Sequence, residues 1–302
     1  MRRLTPLALA FAGLIPALSM AAPEKPDIRR NETPIHAPAN PLAIAKIPAN
    51  YHFIEPGTLT VATSATNSPP LALLASDNVT RIGSDPDIAR LLADSLGLKL
   101  KLVPASWEDW PLGINAGRYD VAMFNIAVTE ERKKKFDFAT YRADNHAFAV
   151  KKESPIRQIS APADIAGKRI IVSSGTNQER ILLSWDAQNR AKGLPAVTPI
   201  YLTDDASATL TLLSGRADAL FGPHSMAAWK AASRGQTRLV GNGPFRAWVA
   251  VTTKKGNGLA PALQTALDGT IAGGQYQQVL ARWGEQDEAV DHSLINPPGI
   301  VY

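Results

Sequence analysis

The sequence predicts an α/β protein, on three observations. Strand and helix patterns alternate from Thr58 onward. Within that alternation the stretch Gly117 to Arg132, GRYDVAMFNIAVTEER, sets a short buried strand, a polar loop and a helix start in direct succession. The alternation then restarts from His146 as a second sheet, which suits the roughly 280 residues expected after an export leader in two units of ordinary size.

The elements follow in order. Thr58 to Thr63 is the first strand, and Pro69-Pro70 turns the chain. Ser84-Asp85-Pro86-Asp87 is a helix start, with a capping residue, an early proline and first-turn acids. Ile88, Leu91, Leu92 and Leu96 give that helix its apolar face, and Gly97 ends it. Lys99 to Val103 is the next strand and Trp107 to Gly117 the next helix. In the stretch that follows, Thr129 is the expected N-cap ahead of Glu130, Glu131 and Arg132. The acids suit the helix dipole, whereas an arginine in the first turn opposes it and calls for an anion. Open α/β sheets bind ligands at strand ends of this kind.

The second unit carries strands at His146 to Lys152 and Arg169 to Ser173. Thr176 and Glu179 then stand at capping-box spacing ahead of the amphipathic Arg180 to Arg190. Amides at such a helix start can take an anion. Ile200 to Leu202, helix Asp205 to Gly215, strand Ala217 to Phe221 and helix His224 to Arg234 extend this unit. Trp248 to Thr253 reads as a strand returning to the first sheet, followed by helices Leu259 to Ile271 and Gln275 to Trp283, and 291–302 as an irregular tail with Pro297-Pro298-Gly299.

Residues 1–22 have the make-up of a secretory signal peptide: Arg2 and Arg3, an apolar run from Leu7 to Ile15, then small residues to Ala22. The chain has no Cys, so neither a lipid-modified cysteine nor a disulfide is expected in the exported protein. Seven prolines between Pro23 and Pro56 predict an extended or poorly ordered extension over 23–57. Without Arg2 and Arg3 the chain keeps 30 Lys and Arg against 27 acids, a net +3, too mild to indicate nucleic acid. Phosphate-loop, HExxH, GxSxG and dinucleotide motifs are all missing, and the five histidines stand at no metal-ligand spacing. No cofactor or metal is expected.

The residues resemble the polar amino-acid-binding receptors of bacterial ABC importers, periplasmic solute-binding protein family 3, from about Thr58 to Ala289. Gly83-Ser84-Asp85-Pro86-Asp87-Ile88-Ala89 stands where the family has Gly-Phe-Asp-x-Asp-Leu-Ala, and Thr129 to Arg132 matches its Thr-x-Glu-Arg. Phe136-Asp137-Phe138, Gly167-Lys168, Gly175-Thr176 and Gly215-Arg216-Ala217-Asp218-Ala219 follow in family order. The resemblance implies a two-lobed, type II periplasmic binding protein fold. Each lobe would be a mixed sheet flanked by helices, 58–143 with 248–290 forming one and 146–245 the other, joined by a two-strand hinge near Tyr141 to Asn145 and Phe245 to Val249. A monomer that delivers a small carboxylate to an inner-membrane ABC permease is expected, with periplasmic dehydratases on the same scaffold as the alternative.

The resemblance also implies the site. Arg132 stands where the family grips a ligand carboxylate with two hydrogen bonds. Asn125 and Ala127 occupy ligand-contacting loop positions, Ala127 without the usual hydroxyl. Thr176 and Asn177 match the anion clamp of the second lobe, and Trp107 an aromatic wall, with Trp110 one turn on expected in the core. Ser68 replaces the family's aromatic and Ala65 an acid sometimes found beside it. The aspartate that pairs with a ligand ammonium would lie where this chain has Gly222-Pro223-His224, which implies either a ligand without an ordinary α-ammonium or a substitute acid, Asp205 ahead of Asp144. His224 is a further candidate contact.

Overall fold

The computed structural model describes residues 28–302. The signal-peptide reading of 1–22 and the first residues of the extension lie outside the described residues.

Of the two expectations for the extension, extended or poorly ordered, its described part fits the first: it is largely irregular and docked on the first lobe. After a 3-10 turn at Ile28–Asn31, a single-turn helix α1 (Pro41–Ile44) starts on Asn40, whose side-chain oxygen accepts from the amides of Leu42 and Ala43. Ile35, Ile47, Tyr51 and Phe53 pack against the core of the first lobe. The Asp120 carboxylate accepts from Tyr51 Oη, the Ile54 amide and the Thr60 amide, tying the arm to the sheet. The prolines fix φ without supplying contacts; the apolar residues between them decide that the arm docks.

The first lobe begins with β1 (Thr58–Ser64), the short hairpin β2 (Leu73–Leu74) and β3 (Arg81–Ile82), and α2 (Ser84–Ser95). It continues through β4 (Lys99–Ala105), α3 (Trp110–Asn115), β5 (Val121–Ala122) and the single turn α4 (Glu130–Lys133). β1 lies between β4 and β5, parallel to both. Ile88, Leu91 and Leu92 of α2 are fully buried against Leu59 and Val61, each such side chain contributing about 2 kcal/mol of apolar burial. The first-turn acids of α2 are buried as well: Asp87 accepts from Trp283 Nε1 at 2.8 Å, and Asp85 from Tyr141 Oη and the Asn125 amide.

The chain leaves this lobe on β6 (Phe136–Lys151), a single 16-residue strand. The second lobe follows as β7 (Arg169–Val172), α5 (Asn177–Ala191), β8 (Thr198–Tyr201), α6 (Asp205–Leu213), β9 (Ala219–Pro223) and α7 (His224–Arg234). The return strand β10 (Thr237–Lys254) is longer than the predicted Trp248 to Thr253, because Gly241, Gly243 and Pro244 break the apolar pattern without ending the strand. Helices α8 (Ala260–Ala272) and α9 (Gln275–Trp283) close the first lobe.

β6 and β10 pair antiparallel from Phe136 opposite Lys254 to Lys151 opposite Thr237, within the sheet order β4-β1-β5-β10-β6-β9-β7-β8. One end of this ladder lies in the first core, with Phe138 and Val251, and the other in the second, with Phe148 and Val240. There Phe148 stacks on Phe221 with centroids 4.0 Å apart. The register shifts between Asn242 and Arg246 and again between Val249 and Ala250, where the ladder passes between the cores. The two-lobed architecture therefore rests on two shared strands.

Candidate functional site

Two adjoining cavities open between the lobes. The first encloses about 260 Å³ and the second about 330 Å³, and Trp107, Glu108, Thr176 and Asn177 line both.

Around the second cavity, the first lobe contributes Arg132. Thr129 Oγ1 caps α4 by accepting from the Arg132 amide at 3.1 Å, so the guanidinium is placed by a fixed turn. Its Nη1 donates to the Ala127 carbonyl at 2.9 Å, and its Nη2 reaches the Gly175 carbonyl of the other lobe at 3.3 Å. The guanidinium carbon lies 5.3 Å from the ring centroid of Trp107 and 5.9 Å from that of Trp110. Burial brings its pKa down to about 10, which still leaves it charged at neutral pH.

The second lobe contributes the turn ahead of α5. Thr176 Oγ1 accepts from the Glu179 amide and donates to the Ser173 carbonyl, while the Glu179 carboxylate accepts from the Gly175 amide. This reciprocal capping holds Thr176 and Asn177 against the cleft. Asn177 Nδ2 donates to His146 Nε2, and burial pushes the His146 pKa down to about 4, so the ring is neutral and able to accept. Arg180, Lys135 and Tyr302 complete the cavity. The irregular tail brings Tyr302 there by bridging Ile300 to Thr129 and Ile295 to Ala139.

The first cavity has Asn125 in its floor. This residue adopts φ 53°, in the left-handed region that asparagine tolerates. Its amide donates to Asp85 and its Nδ2 to Asp144, and its Oδ1 accepts from Arg142 Nη2 at 2.6 Å. Arg142 is fully buried, paired with Glu288 and lying 3.3 Å from Glu285. Burial raises the pKa of Asp85 and, more strongly, of Asp144, whose charge also meets that of Glu288. Burial likewise takes Glu285 up to about 7. The Glu288 carboxylate, 3.7 Å from His224 Nδ1, raises the pKa of His224. Four acids thus face one arginine and one histidine beneath the cleft.

The structure gathers Arg132, Trp107, Thr176 and Asn177 around the second cavity. It gathers Ser68, Asn125, Trp107, Thr176, Asn177 and Asp205 around the first. Ala127 and His224 line neither. Ala127 gives its carbonyl to Arg132 and its side chain to a small cluster with Ala247 and Ile300, and His224 turns toward Glu288. Trp110 is 2% exposed, packed in the core against Trp107, and also borders the second cavity. Asp205 is ion-paired with Lys230 at 2.5 Å. Lys230, Asp85, Arg142, Glu285 and Glu288 were not singled out from the sequence. Asp85 offered the one local signal, as a first-turn acid that burial has turned into a floor group.

A family model described as bacterial extracellular solute-binding proteins, family 3, matches residues 59–286. The arginine-binding protein of Corynebacterium glutamicum is 30% identical over 233 residues, covering 76% of this chain and 75% of that protein. The L-cystine-binding protein of Escherichia coli is 29% identical over 231 residues, covering 76% and 83%. A shorter match joins this chain to the cyclohexadienyl dehydratase of Pseudomonas aeruginosa, 30% identical over 130 residues, 42% of this chain and 48% of the enzyme. Among solved structures, an ancestral arginine-binding protein bound to arginine superposes with a TM-score of 0.67 at 26% identity, covering 75% of this chain and 98% of that one.

Proposed function

The chain belongs to family 3 of the bacterial extracellular solute-binding proteins, and from that premise we propose that it is an exported, monomeric receptor that captures an amino acid between its lobes and hands it to an ABC permease of the inner membrane. The lobes divide as 58–143 with 248–290 and 146–245, and turn about the register shifts of β6 and β10.

One observation carries this reading: Arg132 and the Gly175–Thr176 turn face each other across the cleft, with the guanidinium already in contact with the Gly175 carbonyl. A ligand carboxylate takes the place of that carbonyl, gaining the two-pronged guanidinium contact and the polar end of α5. The ligand's ammonium faces Asp85, the buried acid of the first cavity, which has no ion-pair partner within 4 Å among the described residues. Asp85 takes that role ahead of Asp205, whose carboxylate is shared with Lys230 between α6 and α7. This supports an amino-acid ligand even though Gly222-Pro223-His224 supplies no carboxylate.

The shorter match to a dehydratase gives the enzyme reading its place. We favour the receptor, since Arg132, Thr176 and Asn177 serve to hold an anion across the cleft. Incubation of bound amino acid with stoichiometric protein, followed by chromatography, tests the choice: recovery unchanged supports the receptor, and loss of water or carbon dioxide contradicts it.

A further inference from the structure

The first cavity runs from its polar floor into the second lobe, between α6 and α7, along Ala208, Leu212, Leu220, Phe221 and Met226. This wall, lined also by the helix cap Asp204, is apolar until it reaches Asp205, the first residue of α6, and Lys230 of α7. Their side chains are each 12% exposed and meet at 2.5 Å. Lys230 is the one cation among the described residues lining this cavity. Its Nζ donates to Asp205 Oδ1 and to no other described group within hydrogen-bond distance, although an ammonium has three donors. Lys230 lies six residues along α7 from His224, whose amide donates to Asp144 under the floor, which places it about 9 Å away at helical rise.

We propose that Asp205 and Lys230 recognise a second zwitterionic group at the far end of the ligand, so that the receptor takes a double-headed amino acid, with an ammonium and a carboxylate at each end of an apolar bridge. The inference rests on the amino-acid reading above and names its substrate class. At the near end Arg132 and Asp85 offer one cation and one acid; at the far end Lys230 and Asp205 offer the same, with apolar wall between. The other kinds of side chain fit this end worse. A lone distal cation drawn to Asp205 meets Lys230 beside it, and a lone distal anion drawn to Lys230 meets Asp205. An apolar tip leaves a half-satisfied ion pair sealed from water. A zwitterion complements both members of the pair and fills the open donors of Lys230.

Calorimetric titration of the folded, exported protein, freed of bound ligand by unfolding and refolding, tests this. The probes are L-cystathionine and L-cystine as double-headed ligands, and L-arginine, L-glutamate and L-norleucine as single-headed ones. The wild type is expected to bind a double-headed probe at least about tenfold tighter than any single-headed one, and Lys230→Met and Asp205→Asn each to erase that margin. The double variant Asp205→Leu/Lys230→Met, which leaves no unpaired charge, is expected to keep its melting temperature and to prefer norleucine. If the wild type prefers a single-headed probe and the variants leave that preference unchanged, the pair is only a brace between α6 and α7. The inference is then overturned while the amino-acid receptor stands. Binding of none of the probes by refolded wild type overturns both.

Discussion

Arg132 Nη2 and the Gly175 carbonyl oxygen lie 3.3 Å apart across the cleft, a contact between a cation of one lobe and the turn ahead of α5 on the other. A carboxylate that enters here exchanges with the carbonyl, so the contact marks where the ligand's charge belongs. Arg132→Ala is expected to weaken amino-acid binding by about 2 kcal/mol or more, roughly thirtyfold. Arg132→Lys, which keeps the charge but loses the fork, should fall between. Titration of ligand into all three proteins measures this, and an alanine variant within about threefold of wild type rules out the two-pronged grip.

Glu131 and Arg180 also join the lobes, at 2.8 Å, with the guanidinium carbon 5.8 Å from the Tyr302 ring centroid. Both charged side chains are more than half exposed, so solvent and salt screen them. Arg180→Ala is expected to change ligand affinity by no more than about fivefold, with the difference from wild type shrinking between low and high salt. A loss as large as that of Arg132→Ala would make Arg180 part of the carboxylate grip.

Acidity separates two buried groups of opposite habit. Burial raises Glu285 to about 7, so the folded protein holds a proton there that the unfolded chain releases near 4.5. Its contribution to stability is complete in acid and is lost as pH rises through about 7. His146 is depressed to about 4, so its contribution is present above about 6.5 and is lost as pH falls toward 4. Relative to wild type, Glu285→Gln should therefore lose ground at pH 5 and recover it at pH 7.5, whereas His146→Gln should compare best at low pH. Denaturant melts at both pH values measure the two slopes, and parallel slopes in all three proteins would contradict the assignment.

Gly83 enters α2 at φ 136°, and a Cβ there would stand 2.3 Å from the Leu71 carbonyl oxygen. Gly83→Ala is expected to cost about 2–3 kcal/mol in a urea melt, since both the dihedral and the contact oppose a side chain. The hairpin β2–β3, which positions Ser68 and Asp85 at the cavity, should loosen with it. An unchanged midpoint would mean the Leu71 carbonyl can move aside.

The parts of this molecule that local chemistry dictates were legible in the sequence. Thr129 and Thr176 are read as caps from spacing alone, and both cap. The start of α2 at Ser84 follows from its proline and acids. What the sequence does not display are pairings between residues far apart in the chain. Arg142 meets Glu288 across 146 positions, and nothing near either predicts it. Asp85 looks like a dipole-matched surface acid until Tyr141 and Asn125 close over it. Lys230 sits mid-helix, and its place at the cavity shows only when Asp205 of α6 stands 2.5 Å from it. The extension was legible in part: its prolines suggest an extended or poorly ordered arm, while Tyr51 and Phe53 bind it to the first lobe.

Mass spectrometry of small molecules released on denaturing the protein, after export and purification from its own host, tests the receptor reading most directly. A stoichiometric amino acid, retained by wild type and lost from Arg132→Ala, is the expected result. A stoichiometric ligand without a carboxylate, or one held equally well by Arg132→Ala, would contradict it.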